Sequence, residues 1–173
     1  MGPLLHRRYS VVVDGVGGDA AALMSRFSAH PNYGVPDDVA TFVKTRGVDG
    51  TAAVGDEFSI RMPGPWNGPV RVIGTTATTW RLATLDGHLE AGQIEFRARD
   101  EGGAVALEIE SWARPGDVLS HVLYNIVGLA REVQLNLWIE TLLRLAHRSG
   151  GDVRDGVHVD TRHVSATEVV AAG

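Results

Sequence analysis

Apolar and polar residues alternate along much of the chain, and a period of two predicts β-strands. The β-branched run Val11–Val13 marks the first of these. From Glu57 onward, Phe58 and Ile60 alternate with polar neighbours, as in a strand that has one solvated face. The predicted strands cover residues 9–16, 57–62, 70–76, 79–85, 92–99 and 104–113.

The last two strands form a predicted hairpin, with Gly102-Gly103 as its two-residue turn. This register places Phe96 opposite Ile109 and Arg97 opposite Glu108. One face of the hairpin is then apolar. The other face is charged and is expected to be solvated, and it carries Glu95, Arg97, Arg99, Glu108 and Glu110.

Two segments have the spacing of helices. Asp19 is a suitable N-cap for a short helix that must stop near His30-Pro31, because proline disfavours helix at the residue before it. A long helix is predicted from Asp117 to about Arg148, with Gly150-Gly151 after it. Residues 31–56 are ambiguous, and Asp37-Asp38 there is a possible cap for a short helix through Val39, Phe42 and Val43.

This order of elements predicts an α+β fold. An antiparallel sheet with one apolar face must bury that face, and the long C-terminal helix is the apolar element available to cover it. We therefore expect a curved antiparallel sheet wrapped around that helix. Residues 1–150 form one predicted domain, and residues 151–173 form a C-terminal tail that is either extended or disordered.

Composition and charge narrow the classes of function. The chain has 173 residues, with 16 Lys and Arg against 21 Asp and Glu, so its net charge of −5 argues against nucleic acid as a partner. No apolar run approaches the roughly 18 residues of a membrane span, and the N-terminus lacks the apolar core of a signal peptide, so we expect a cytoplasmic protein. A homodimer is compatible with the sequence.

Several kinds of site are also excluded. Cysteine is absent and the seven histidines lack ligand spacing, so no metal site is predicted. The chain contains no P-loop, no complete dinucleotide fingerprint and no G-x-S-x-G nucleophile elbow. We therefore predict no cofactor.

Two local motifs resemble those of a bacterial family, domain of unknown function nineteen-ninety. Residues 87–96, GHLEAGQIEF, are similar to the family pattern G-H-P-E-x-G-E-x-x-F, with Leu89 in place of proline and Gln93 in place of glutamate. Residues 111–115, SWARP, are similar to its aromatic-small-Arg-Pro step before the last helix. The family has no agreed catalytic residues, so none is carried over.

Over residues 9–148 the order of elements also resembles the helix-grip fold of the START-like superfamily. That superfamily includes the birch-pollen allergen, lipid-transfer domains and polyketide cyclases. The resemblance implies a cavity between the sheet and the C-terminal helix that commonly binds apolar small molecules. It also implies that the helix lines this cavity.

Candidate ligand-binding residues come from three parts of the chain. Polar residues of the long helix lie near one face, where they would orient a ligand carbonyl or hydroxyl, unless that face is the solvent side or an interface. Tryptophans would wall the pocket, unless they are plain core. The candidates are Trp66, Trp80, Phe96, Leu107, Ile109, His121, Tyr124, Asn125, Leu129 and Arg131.

The predicted loop between Asp86 and Gly92 holds a further pair, His88 and Glu90. One hypothesis makes them an acid/base or gating pair at the cavity mouth. The alternative is a purely structural loop, in which Gly87 and Gly92 take positive φ and the Glu90 carboxylate accepts backbone amides.

Three functions remain open from the sequence. The first is binding of an apolar or amphipathic small molecule, lipid or polyketide-like. The second is a cyclase- or isomerase-type enzyme of secondary metabolism that uses the same cavity. The third is a structural or interaction protein with a filled cavity.

Overall fold

The computed structural model describes residues 4–63, 67–115 and 124–164, and for residues 115 and 124–131 it describes the backbone alone. Its eight described strands form one antiparallel sheet in the order β2-β3-β4-β5-β6-β7-β1-β8. They are β1 (Leu4–Asp14), β2 (Thr41–Arg46), β3 (Glu57–Arg61), β4 (Asn67–Thr75), β5 (Thr79–Thr84), β6 (Glu90–Glu101), β7 (Ala104–Pro115) and β8 (Asp152–Val164). The sheet curves around the C-terminal helix, so the predicted α+β architecture is confirmed.

The β6–β7 hairpin has the register that the sequence predicts. Phe96 pairs with Ile109 and Arg97 with Glu108, across the turn at Gly102-Gly103. This register places Phe96, Ala98, Leu107 and Ile109 on the concave face, where all four are buried.

Two helices pack against the concave face. Helix α1 (Ala20–Ala29) begins at Asp19, whose carboxylate accepts the Ala22 amide hydrogen at 2.8 Å, and it ends just before Pro31. Helix α2 covers Tyr124–Arg148, and the predicted start of this helix at Asp117 lies outside the described residues. After α2, the amides of Gly150 and Gly151 donate back to the carbonyls of the last turn.

Residues 37–46 do not form the short helix that Asp37-Asp38 suggested. Thr41–Arg46 is strand β2, paired with β3. The Asn32 side chain explains part of this preference, because its amide donates to the Phe42 carbonyl at 2.9 Å and its oxygen accepts the Phe42 amide at 2.8 Å. One side chain thus satisfies both backbone groups of Phe42 in an extended conformation.

Aromatic rings fill much of the space between the sheet and the helices. Trp80 stacks on Phe96 with ring centroids 5.2 Å apart. Phe27 of α1 packs edge-on against both rings, and Trp138 of α2 packs against Phe96 at 5.5 Å. The resemblance implies a cavity between the sheet and the helix. The rings close the centre of this space, and the cavity that remains lies where β6 begins and β7 ends.

The convex face carries the charged residues, but it is not simply solvated. Glu95 and Glu110 are only 4% and 6% exposed. Arg81 and Arg97 both pair with Glu95. Beside Glu110, the His6 ring lies 2.7 Å away and Arg8 donates at 3.1 Å. The arginine side chains cover the carboxylates, which is why alternation alone overestimates their exposure.

These contacts also change the acidity of Glu110. Burial raises the pKa of Glu110, but the hydrogen bonds from His6 and Arg8 outweigh burial and hold this pKa below its usual range. The carboxylate is therefore ionised, and its role on this face is to hold β7 and β1 together.

The segment after α2 adopts the extended alternative as far as residue 164. Asp152–Val164 forms β8, which pairs antiparallel with β1 from Leu4↔Val164 to Asp14↔Asp152. Strand β1 consequently has a hydrogen-bonded neighbour on each side, β7 and β8. The proposed domain boundary at residue 150 stays a prediction.

Candidate functional site

A cavity of about 70 Å³ lies between the sheet and α2, toward the end of the sheet where β6 begins. Its floor is apolar and includes Phe42, Ile60, Val70, Leu82 and Trp138. Its rim is polar and includes His88, Glu90, Gln93, Ser111 and Gln134. An apolar floor with a few converging polar groups is the usual composition of a small-molecule site.

The described cavity is smaller than most ligand pockets, which hold about 300–1,000 Å³. It has room for several waters, since one water needs only about 10–15 Å³ by the same kind of measure. An alkyl chain or one small ring would therefore enter it only in part. The rest of such a ligand would extend along the polar rim.

The His88–Glu90 turn is held by its own hydrogen bonds. The His88 Nδ1 atom accepts the amide hydrogen of Glu90 at 3.0 Å, so this nitrogen carries no proton. The ring lies over Gly68 of β4, where an added Cβ would come within 2.8 Å of the His88 Nε2 atom. A neutral imidazole with its proton on Nε2 fits this arrangement.

The structural hypothesis for this turn is correct only in part, and the acid/base or gating hypothesis stays a prediction. Gly87 does take a positive φ of 92°, but Gly92 does not. Gly92 is required instead by close strand approach, because a Cβ there would lie 2.0 Å from the Trp112 carbonyl oxygen. The Glu90 carboxylate accepts no backbone amide among the described residues.

Glu90 is bound to the helix instead. The Gln134 side-chain amide donates to Glu90 Oε2 at 2.7 Å and so joins the start of β6 to α2. This contact puts an oriented carboxylate and a neutral imidazole on the same rim. The carboxylate can accept a hydrogen bond from a ligand, and the imidazole can donate one to it. The imidazole can also accept a proton.

The His88 ring is partly buried, and this changes its acidity. Burial lowers the pKa of His88 from its usual 6.5, and the nearby Glu90 charge only partly offsets that effect. At neutral pH the ring is uncharged.

We expect His88 to make stability depend on pH. Below pH 6.5, His88 becomes protonated in the unfolded chain. In the folded chain it stays neutral until the pH reaches its lower folded-state pKa. The free energy of unfolding therefore falls as the pH drops through this window, by up to about 1.4 kcal/mol per pH unit for one proton. Urea unfolding of the wild type and of His88→Asn, from about pH 8 to about pH 5, measures the difference.

The asparagine variant keeps an oxygen that can accept the Glu90 amide hydrogen, so the turn itself is preserved. Its free energy of unfolding should vary less with pH in this window than that of the wild type. Parallel curves for the two proteins would show that His88 titrates normally in the folded state.

The structure places the predicted site residues in three groups. Trp80, Phe96, Leu107 and Ile109 are all buried in the core beneath the helices. Trp66 and His121 lie outside the described residues. Tyr124, Asn125, Leu129 and Arg131 belong to the first two turns of α2, where only the backbone is described. A ligand contact for any of these residues stays a prediction.

Sequence reasoning missed one polar residue on the rim, Gln134, and one on the concave face beside the cavity, Arg7. Gln134 was passed over because a single amide on a long helix has no distinctive spacing. Arg7 was missed because the first strand was predicted to begin at Tyr9, whereas β1 begins at Leu4. Extending the alternation Tyr9, Val11, Val13 back by one step would have placed Arg7 on the concave face.

Two further observations bear on the kind of site. Across the described ranges, no three His, Asp or Glu side chains are grouped so as to hold a metal ion. Within the same ranges, neither helix combines the length and apolar character needed to cross a membrane.

A curved antiparallel sheet closed by a long C-terminal helix, with a cavity between them, is the helix-grip, START-like fold. The chain belongs to a particular family, Domain of unknown function (DUF1990), whose model matches residues 6–149. No curated protein matches the chain significantly.

Solved structures share the fold at low sequence identity. The di-domain ARO/CYC protein StfQ of the steffimycin biosynthetic pathway matches with 14% identity and a TM-score of 0.59, over 86% of this chain and 52% of that one. This chain thus spans about half of StfQ. Norcoclaurine synthase of Thalictrum flavumn, solved with a transition-state analogue, matches with 12% identity and a TM-score of 0.52, over 86% and 99% of the two chains. The major latex-like protein 151 of Panax ginseng matches with 10% identity and a TM-score of 0.54, over 82% and 97%.

Proposed function

We propose that this protein binds an amphipathic small molecule, lipid or polyketide-like, in the cavity between the concave face of the sheet and α2. The observation that carries the proposal is the division of the cavity into an apolar floor around Trp138 and a polar rim at His88, Glu90 and Gln134. A ligand with one apolar end and one polar end satisfies both parts. A wholly apolar ligand would displace water from the rim groups and leave their remaining hydrogen-bonding capacity unsatisfied.

The fold neighbours support small-molecule chemistry in this kind of cavity. StfQ belongs to a biosynthetic pathway, and norcoclaurine synthase was solved with a transition-state analogue. At the low sequence identities involved, what this chain shares with them is the fold. The ligand of this chain therefore has to be found by experiment.

Binding of an uncharged naphthalene dye, N-phenylnaphthylamine, tests the proposal. We expect the wild type to bind it with micromolar affinity, measured by fluorescence, and to melt at a higher temperature when it is present, because the dye stabilises only the folded state. Ala113→Phe should abolish both effects, since Ala113 lines the cavity and a phenyl ring there would occupy it.

Ala91→Phe is the matched control. Ala91 is exposed and precedes Gly92, the strand partner of Ala113, but it lies on the opposite face of the sheet. This variant should bind the dye as the wild type does. Dye binding that is absent from the wild type, or that Ala113→Phe leaves intact, would overturn the proposal and favour an interaction protein with a filled cavity.

A second candidate is an enzyme of the cyclase or isomerase kind. The specific observation in its favour is the neutral His88 imidazole next to a carboxylate on the cavity rim, because such a pair can take a proton from a bound substrate and return it. Native mass spectrometry of protein isolated from its own host would identify a co-purifying molecule. Incubating that molecule with wild type and with His88→Asn would then distinguish turnover from simple binding.

A further inference from the structure

The concave face contains an arginine, Arg7, that lies beside the buried Tyr9. On β1, His6 and Arg8 point to the convex face, where both contact Glu110. Arg7 lies between them and therefore points the other way, in phase with the fully buried Tyr9. None of the ion pairs among the described residues includes Arg7.

Arg7 and Tyr9 both present unsatisfied hydrogen-bond donors. The Arg7 Nε atom and the Tyr9 hydroxyl are buried, and no described residue meets full hydrogen-bond geometry with either atom. The two side chains are close to each other. Burial raises the pKa of the Tyr9 hydroxyl more than the charge and the hydrogen-bonding contact of Arg7 lower it, so the hydroxyl keeps its proton. Buried donors without partners are rare and costly in folded proteins, so a pair of them side by side calls for an acceptor.

This pair lies next to the cavity. Arg7 is the strand partner of Ser111, and Ser111 is the strand partner of Ile94. Ser111 and Ile94 both line the cavity, so Arg7 is the next residue across the concave face. Glu90 is close enough to act electrostatically on Tyr9, but it forms no ion pair with Arg7, and its carboxylate is bound by Gln134.

We propose that Arg7 and Tyr9 form the polar end of the binding cavity and hold an anionic oxygen, such as a carboxylate, at the head of an amphipathic ligand. The inference rests on the proposed function and narrows it from amphipathic molecules to acids. Two donors, one of them positively charged, require an acceptor oxygen and favour a negatively charged one. The apolar end of the same ligand would extend past Ser111 toward Trp138.

Decanoate and decanol, which share a chain length and differ in the head group, test the inference by calorimetry. In the wild type we expect decanoate to bind at least about tenfold more tightly, as charge-assisted hydrogen bonds would give. Arg7→Met should remove this preference, because it should weaken decanoate binding by much more than it weakens decanol binding. Tyr9→Phe should reduce the preference without removing it, and Arg7→Lys should retain most of it.

Arg8→Met is the matched control, because it removes the same charge from the neighbouring position on the opposite face. Its preference for decanoate should equal that of the wild type. Equal binding of decanoate and decanol by the wild type, or a preference that survives Arg7→Met, would overturn the inference while decanol binding still supported the proposed function. Failure of both molecules to bind would overturn the proposed function itself. The wild-type comparison decides the matter even if a variant does not fold.

Discussion

Phe96→Ala should lower the free energy of unfolding by about 3–5 kcal/mol, the usual cost of deleting a buried aromatic ring. Phe96 is 1% exposed, and its ring contacts Phe27 of α1, Trp80 of β5 and Trp138 of α2. Its loss would leave a cavity where the sheet and both helices meet. Urea unfolding followed by circular dichroism measures the change.

Ile73→Ala is the control for this substitution. Ile73 is 42% exposed, so its truncation should cost less than about 0.5 kcal/mol. A loss of similar size in both variants would mean that the aromatic cluster is not the centre of the core.

Lys44→Met should destabilise the protein by about 3 kcal/mol, because it leaves a buried carboxylate without its counter-charge. Lys44 is the only lysine in the chain. Its Nζ atom donates to the carbonyls of Val48 and Thr51 and to Asp56 Oδ2, at 2.8, 2.6 and 2.8 Å. Both side chains of the Lys44–Asp56 pair are 9% exposed. Thermal and urea unfolding measure the loss.

The double variant Lys44→Met/Asp56→Leu identifies the cause. Replacing both partners of a buried pair with apolar groups is often close to neutral, so the double variant should regain much of the lost stability. A double variant as unstable as Lys44→Met would attribute the loss to the two backbone carbonyls that Lys44 also binds.

The dependence of stability on pH in the acid range gives an independent check on the Lys44–Asp56 pair. Burial raises the pKa of Asp56, but the bonds from Lys44 and the Ala53 amide outweigh burial and hold it below 3.8. A carboxyl group whose pKa is lowered on folding adds stability above pH 3.8. That stability is lost as the pH falls through the pKa of the folded state. Without Lys44, the loss should begin at a higher pH.

Much of the fold was predictable because its signals are local. Asp19 caps α1 through its own neighbour Ala22, and Gly102-Gly103 sets the β6–β7 register by itself. Strand β2 was not predictable in this way, since pairing with β3 and the contact of Asn32 with the backbone of Phe42 favour its extended conformation. A contact between a side chain and the backbone of another segment leaves no periodic pattern in the sequence of either segment.

The candidate site was less predictable for the same reason. His88 and Glu90 stood out because they occur together in one short motif. Gln134 and Arg7 lie far from this motif in the sequence, and only the folded sheet and helix bring them near it. On the convex face, alternation predicted the correct side of the sheet for Glu95. It gave no indication that arginine side chains would cover this carboxylate.

The position of β1 also determines when the protein can finish folding as it is synthesised. Strands β2 to β6 each neighbour the strand that follows them in sequence, so the strands from β2 to β7 can pair as they leave the ribosome. Strand β1 leaves the ribosome before them, but its two partners are β7 and β8, which end at Pro115 and Val164. The apolar residues of β1 therefore have no strand partner until β7 has been synthesised; they include Tyr9, Val11 and Val13. Such long-range pairing is slow, and a chaperone that binds short apolar strands would find its target here.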